Sequence, residues 1–367
     1  MCASWHEYNI APERSATDTR GITALSRIST SMEIWWTGIN QSIEGAFWYE
    51  GGQWTRQQVA PGGSASVSGG MAAVSRIPGS MELWWIGANG SVEGAYWYEG
   101  SPWTRYQIAP NNSVNNEGNL AAVSRVPGHL ELWWISTNGS VEGAHWYEGG
   151  QWTRYQIAPH GSAAVRGGVA AVSRIPGSME LWWIGANGSV EGAYWYEGSP
   201  WSRYQIAPAR SASVNGGMAA LSRAPGTMEM WWIGDTGGAI ASVDGAHWYE
   251  GGQWTRYRLA PDAGASPATG IAAVSRIPGS MEIWWVGPQR GVKGAHWYEG
   301  GKWTTYQHSA FGSGAAFGGV AAVSRIPGSM ETWWIGGEGA PRGPGSVQGA
   351  YWYDNDNESD DGENEAG

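Results

Sequence analysis

MAAVSRIPGSMELWWIGANGSVEGAYWYEGSPWTRYQIAP, Met71–Pro110, decides the fold. It divides into four short apolar-alternating runs, each bounded by turn-forming residues, and carries no helical periodicity. AAVSR (Ala72–Arg76) stops at Pro78-Gly79, and MELWWIG (Met81–Gly87) runs into Asn89-Gly90. VEGAYWY (Val92–Tyr98) leads through a short loop to WTRYQIA (Trp103–Ala109). Asn-Gly predicts a two-residue type I′ hairpin, in which both central positions need positive φ. The unit reads as one four-stranded antiparallel sheet.

Copies of this unit start near Ile22, Met71, Leu120, Val169, Met218, Ile271 and Val320, about 49 residues apart. The fifth is lengthened around Gly237–Ser242, and the seventh carries GGEGAPRGPG and stops after Tyr353. The chain also opens on WHEYNIAP, Trp5–Pro12, which matches the closing WTRYQIAP of other units. Each full unit holds four tryptophans, and the total of 28 fits seven units only if Trp5 supplies the one missing from the last. Open solenoids need polar caps, whereas a ring needs closure. The sequence therefore predicts an all-β, seven-bladed β-propeller over residues 1–353, with four antiparallel strands per blade. Residues 5–12 are its displaced outermost strand, and 354–367 form an acidic disordered tail.

Composition narrows the function. With 21 Lys plus Arg and a formal charge of −11, the chain lacks the basic surface that phosphate neutralisation requires, so nucleic acid is not expected. Cys2 is the single cysteine, which excludes intrachain disulfides and cysteine-built metal sites. No basic, apolar leader and no run of about 18 apolar residues is visible, which points away from membrane insertion and toward a cytoplasmic or non-classically secreted protein. The N-x-S matches at Asn40, Asn89, Asn138 and Asn187 read as turn residues.

A two-residue hairpin would set Glu82 opposite Trp97 and Ser75 beside Glu82. One blade face would then carry Ala73, Ser75, Glu82, Trp84, Glu93, Ala95 and Trp97. The bulky opposite face of the next blade would pack into this hollow. Where it fails to fill it, an indole floor and a carboxylate wall remain. Sugars suit such a site, because their C–H faces stack on rings while hydroxyls satisfy a desolvated carboxylate. The candidate sugar-binding residues are the third-strand tryptophans Trp48, Trp97, Trp146, Trp195, Trp248, Trp297 and Trp352. With them stand the second-strand acids Glu33, Glu82, Glu131, Glu180, Glu229, Glu282 and Glu331.

Arg27, Arg76, Arg125, Arg174, Arg223, Arg276 and Arg325 accompany those acids, as a structural ion pair or as ligand contacts. Third-strand acids at Glu44, Glu93, Glu142 and Glu191 are further sugar-binding candidates. Asp244 keeps the acid in the fifth unit, but Lys293 and Gln348 replace it in the last two, so the sixth and seventh sites should bind differently or not at all. His145, His247 and His296 substitute for tyrosine in separate blades and offer no metal-ligand spacing. Almost every polar feature is repeated sevenfold, while catalysis needs one asymmetric set of groups, so no enzyme, cofactor or metal is expected. Glycans are the expected partners, with a homo-oligomer left open. The alternative is a protein-interaction scaffold whose tryptophans are all core.

The run AAVSR-x-PG-x-[ML]-E-[LIM]-WW-[IV]-G, followed by NGSVEGAYWY, resembles the repeats of seven-bladed propeller lectins of the Photorhabdus type. The resemblance covers the chain except its acidic tail. It implies a multivalent sugar-binding protein with sites between blades and affinity for fucose-like or O-methylated sugars. Aleuria-type six-bladed fucose lectins are similar at greater distance. Their pocket uses an Arg, a Glu and an aromatic; here Glu82 and Gly94 stand at the first two positions and only Trp103 matches.

Overall fold

A computed structural model describes residues 4–337 and 345–354. The acidic residues 355–367, Cys2 and most of the seventh-unit insertion, with Glu338 and Arg342, lie outside the described residues. The four runs of each unit are strands: in the second blade Met71–Val74, Ser80–Ile86, Val92–Tyr98 and Thr104–Ala109. They hydrogen-bond in chain order, and the described residues form seven such four-stranded sheets around an axis.

The Trp-Trp pair builds the core. Consecutive side chains leave a strand on opposite faces, so each pair feeds two successive inter-blade cores. Trp85 packs backward with Trp35, Ile43 and Val59 of the first blade. Trp84 packs forward with Leu120, Leu130, Leu132 and Trp134 of the third. Burying side chains of this size contributes about 1.5–3 kcal/mol each. Gly94 lies opposite Trp84, and a Cβ there would sit 2.8 Å from the indole and 2.7 Å from the Tyr106 ring. That is why the third strand reads Glu-Gly-Ala.

The hairpin corrects the expected register. Gly90 N–H donates to the Gly87 carbonyl at 2.9 Å, Gly87 N–H donates to the Ser91 carbonyl at 3.0 Å, and Gly90 alone takes positive φ, at 70°. This is a three-residue loop with a glycine bulge, the other common hairpin solution. Glu82 consequently pairs with Tyr96, Leu83 with Ala95 and Trp85 with Glu93. On the inner side Glu82 pairs with Val74, not Ser75. A slip of one residue exchanges faces, so Glu82 and Trp97 stand on opposite faces of their blade. The asparagines are turn residues as expected: Asn187 and Asn138 accept from Ser189 and Ser140 backbone N–H groups at 3.0 and 2.9 Å.

The N-terminal segment closes the ring. The strand His6–Ala16, longer than the expected 5–12, pairs with Gly345–Tyr353 in the order His6–Tyr351, Glu7–Ala350 and Tyr8–Gly349. That register matches Thr104–Tyr96, Arg105–Ala95 and Tyr106–Gly94 of an ordinary blade. Trp5 also takes its due place. In every blade the first Trp of the pair meets the outer-strand Trp of the next edge-on: Trp84–Trp152 and Trp133–Trp201 at 5.9 and 6.0 Å. Trp284–Trp5 and Trp333–Trp54, both at 5.8 Å, complete the circle. No helix among the described residues is long and apolar enough to cross a membrane.

Candidate functional site

The 28 tryptophans divide evenly. Those of the Trp-Trp pairs are buried, while third-strand and outer-strand tryptophans stay half-buried. Each third-strand tryptophan meets a neighbouring blade's arginine. Between the second and third blades, Arg76 lies 5.1 Å from the Trp146 ring centroid and places Nε 3.2 Å from Glu82. It also stacks on Tyr98 and donates to that phenol. The same arrangement recurs around the ring, with Arg27 over Trp97, Arg125 over Trp195, Arg174 over Trp248 and Arg223 over Trp297, all at 5.1 Å. Arg325 over Trp48 at 5.1 Å and Arg276 over Trp352 at 4.9 Å finish the set.

The acid and indole that share a cleft therefore belong to adjacent blades: Glu82 meets Trp146 through Arg76, and Trp97 meets Arg27 and Glu33 of the first blade. Most of these arginines also donate Nη1 to a turn carbonyl of the following blade, as Arg125 does to Pro176 and Arg174 to Pro225 at 3.0 Å. The guanidinium is an inter-blade latch and a cationic backing for the indole, a contact stronger when desolvated.

The second-strand glutamates sit beneath the cleft, not on its surface, each between 0 and 5 % exposed. In four blades the outer-strand tyrosine serves them: Tyr8, Tyr155, Tyr204 and Tyr306 donate to Glu331, Glu131, Glu180 and Glu282. Trp182 Nε1 donates to the Tyr204 hydroxyl at 2.9 Å, which donates to Glu180 at 3.1 Å. Trp333, Tyr8 and Glu331 repeat this at 2.9 and 3.1 Å, so the N-terminal strand carries the same network.

Burial lifts these carboxyls despite their partners: Glu33, Glu82, Glu131, Glu180, Glu229 and Glu282 to about 7, and Glu331 to about 8. Unfolded, they ionise near ~4.3. A raised folded pKa means the folded state holds the proton more tightly, so that contribution is complete at acid pH and fades as pH rises through 7–8. His308, buried against Thr332 and lowered to about 3, has the opposite effect, but only below about 6.5. Calorimetry should accordingly show Tm falling from pH 6.5 to 8.5, with a shallower fall in Glu131→Gln. A flat or rising Tm over that interval would contradict the buried acids.

The third-strand acids occupy the other end of the blade. Glu93 accepts from Ser91 Oγ at 2.6 Å and Gln107 Nε2 at 2.8 Å, in a cavity of about 440 Å³ also lined by Arg105, Asn89 and Ser64. Glu142 lies likewise in one of about 500 Å³, accepting from Ser140 at 2.6 Å and Gln156 at 2.9 Å. Glu44 and Glu191 have the same Ser and Gln partners. At the equivalent positions Asp244 forms an ion pair with Arg258 at 2.8 Å, and Gln348 donates to Ser346. The candidate residues thus form two groups, an aromatic cleft at the Pro-Gly-turn end and a polar cradle at the hairpin end.

No family model matches the sequence, and no curated protein matches it by sequence. Solved structures do. The BP39L lectin of Burkholderia pseudomallei superposes with a TM-score of 0.82 at 16% identity, covering 92% of this chain and 98% of its own. The chain shares its β-propeller fold with that protein. AofleA of Arthrobotrys oligospora aligns with the propeller at TM-score 0.60 and 16% identity, over 84% of this chain and 90% of its own. The Aleuria aurantia lectin, a six-bladed fungal propeller with a fucose recognition mode, aligns at 0.58 and 18% identity over 83% of this chain and 99% of its own.

Proposed function

We propose that this chain is a multivalent carbohydrate-binding lectin that recognises terminal monosaccharides, fucose-like or O-methylated ones among them. The observation that carries the reading is the ring of third-strand indoles, half-buried in equivalent clefts and each held rigid over an arginine. A sugar's C–H face lies on the indole left accessible, with the neighbouring outer-strand Trp and the exposed Tyr98-type phenol beside it. The second-strand glutamates hold the arginine and tyrosine in place. The polar cradles around Glu44, Glu93, Glu142 and Glu191 add carboxylates suited to paired hydroxyls.

Single sites of this kind are weak. Repetition makes later engagements intramolecular, gaining roughly 10²–10⁴ overall, which suits agglutination, defence or surface recognition. Binding proceeds without turnover, since the repeated groups do not divide acid, base and nucleophile roles. The structural likeness to lectins supports the same reading. Titration with free monosaccharides should change the tryptophan emission of the intact protein saturably. An unchanged spectrum with every sugar would count against stacking at the clefts.

A further inference from the structure

The repeats agree closely where sheets pack, but not at the axis. Three residues before each inner strand stand Thr19, Ser68, Glu117, Arg166, Asn215, Ala268 and Phe317, a different residue in every blade. These positions ring the mouth of an axial cavity of about 560 Å³, within the range of small-molecule sites. The order of blades makes this cavity two-sided. Blades seven, one and two contribute Phe317, Ile39 and Val67, which are 38%, 46% and 46% exposed. Blades three and four contribute Glu117 and Arg166, paired at 3.2 Å.

Arg20 crosses the cavity. It leaves the first blade, donates Nε to the Ala268 carbonyl at 3.0 Å and Nη1 to the Arg166 carbonyl at 2.9 Å, and so reaches blades six and four. Most other repeats have glycine here, because a Cβ on Gly69 would fall 2.7 Å from the Ile86 Cβ. The first repeat has Thr37 in the isoleucine's place, so two changes in one repeat accompany this side chain. Desolvation lowers the Arg20 pKa to about 10, although the Glu117 carboxylate, itself paired with Arg166, raises it. A guanidinium desolvated in this way favours an incoming anion. Glu117 and Asp18 also line the cavity, which disfavours a polyanion.

We propose that the axial cavity binds a small organic monoanion, a carboxylate on an aromatic or branched alkyl body, with its charge on Arg20 and its body against Phe317, Val67 and Ile39. This site is separate from the inter-blade clefts and does not depend on sugar binding.

Calorimetric titration of the full chain with 3-phenylpropanoate and with 3-phenylpropanol tests it. The acid should bind at least tenfold more tightly than the alcohol. Arg20→Gly, which installs the residue of five other repeats, should remove that preference and leave monosaccharide binding intact. Should Arg20→Gly not fold, Phe317→Asp, at an exposed position, should weaken the acid at least tenfold. Equal affinities for acid and alcohol, no heat from either at millimolar concentration, or an undiminished preference in whichever variant folds would overturn the proposal.

Discussion

A chain lacking residues 1–12 should melt about 10 °C below the intact protein, or lose its cooperative transition altogether. The deletion removes His6–Pro12 of the seventh blade's outer strand, with Ile10 and Ala11 from the core between blades seven and one. It leaves Trp284 without its Trp5 edge contact, and it strips Tyr8 from both Glu331 and Trp333. Losing one Trp, one Tyr and one Ile from packed sites costs roughly 8 kcal/mol. Spread over a propeller of this length, that corresponds to a shift of about 10 °C. The bared strand edge would also invite association, so the truncated chain should aggregate on heating. Differential scanning calorimetry decides it, and superimposable melts would mean that the ring does not depend on its N-terminal strand.

The second large effect concerns sugar stoichiometry. Trp97, Trp146 and Trp195 each form the indole of a different cleft, over Arg27, Arg76 and Arg125. Changing all three to leucine keeps an apolar cover on each latch but removes the flat stacking surface. Isothermal titration with the preferred monosaccharide should then count three fewer sites per chain, the remaining sites keeping their affinity. Agglutination should fall far more steeply than the count, because avidity is lost with each engagement. If the stoichiometry is unchanged, the sugars bind elsewhere, and the cradles around Glu93 and Glu142 become the place to look.

The architecture was open to reading because each sequence signal was repeated. Seven copies of four strands, and a tryptophan count that closes only with Trp5, required a ring, and Trp5 does sit where an outer-strand Trp belongs. The blade faces were misread for a local reason. Asn-Gly serves both the two-residue type I′ turn and the three-residue loop with a glycine bulge, and only the backbone pairing of Gly87 with Ser91 separates them. That one residue moved Glu82 away from Trp97 and toward the following blade. Contacts between blades were beyond the sequence, since Arg76 and Trp146 are joined by packing and not by any local pattern. The axial arginine left a signal that went unread: Arg20 interrupts a glycine column, and Thr37 interrupts an isoleucine column in the same repeat. His308 and Thr332 form a similar paired departure, one from each side of the seam between blades six and seven, joined at 2.8 Å.

Repetition also shapes how the fold is held. Each inter-blade core is built from the same Trp, Leu or Ile and Ala positions, so no single blade dominates. The axial glycines let inner strands approach closely, as Gly70 N–H does to the Gly118 carbonyl at 2.9 Å. The arginine latches bind the opposite end of the blades, and the indoles resting on them stay fixed in orientation. A binding surface held this way needs little reorganisation when a ligand arrives.

Glycan-array binding of the intact protein tests the central claim most directly. The account predicts selective signals for glycans sharing a terminal monosaccharide, displaced by that free sugar. An array without signals would contradict the lectin reading and leave a propeller whose tryptophans serve packing alone.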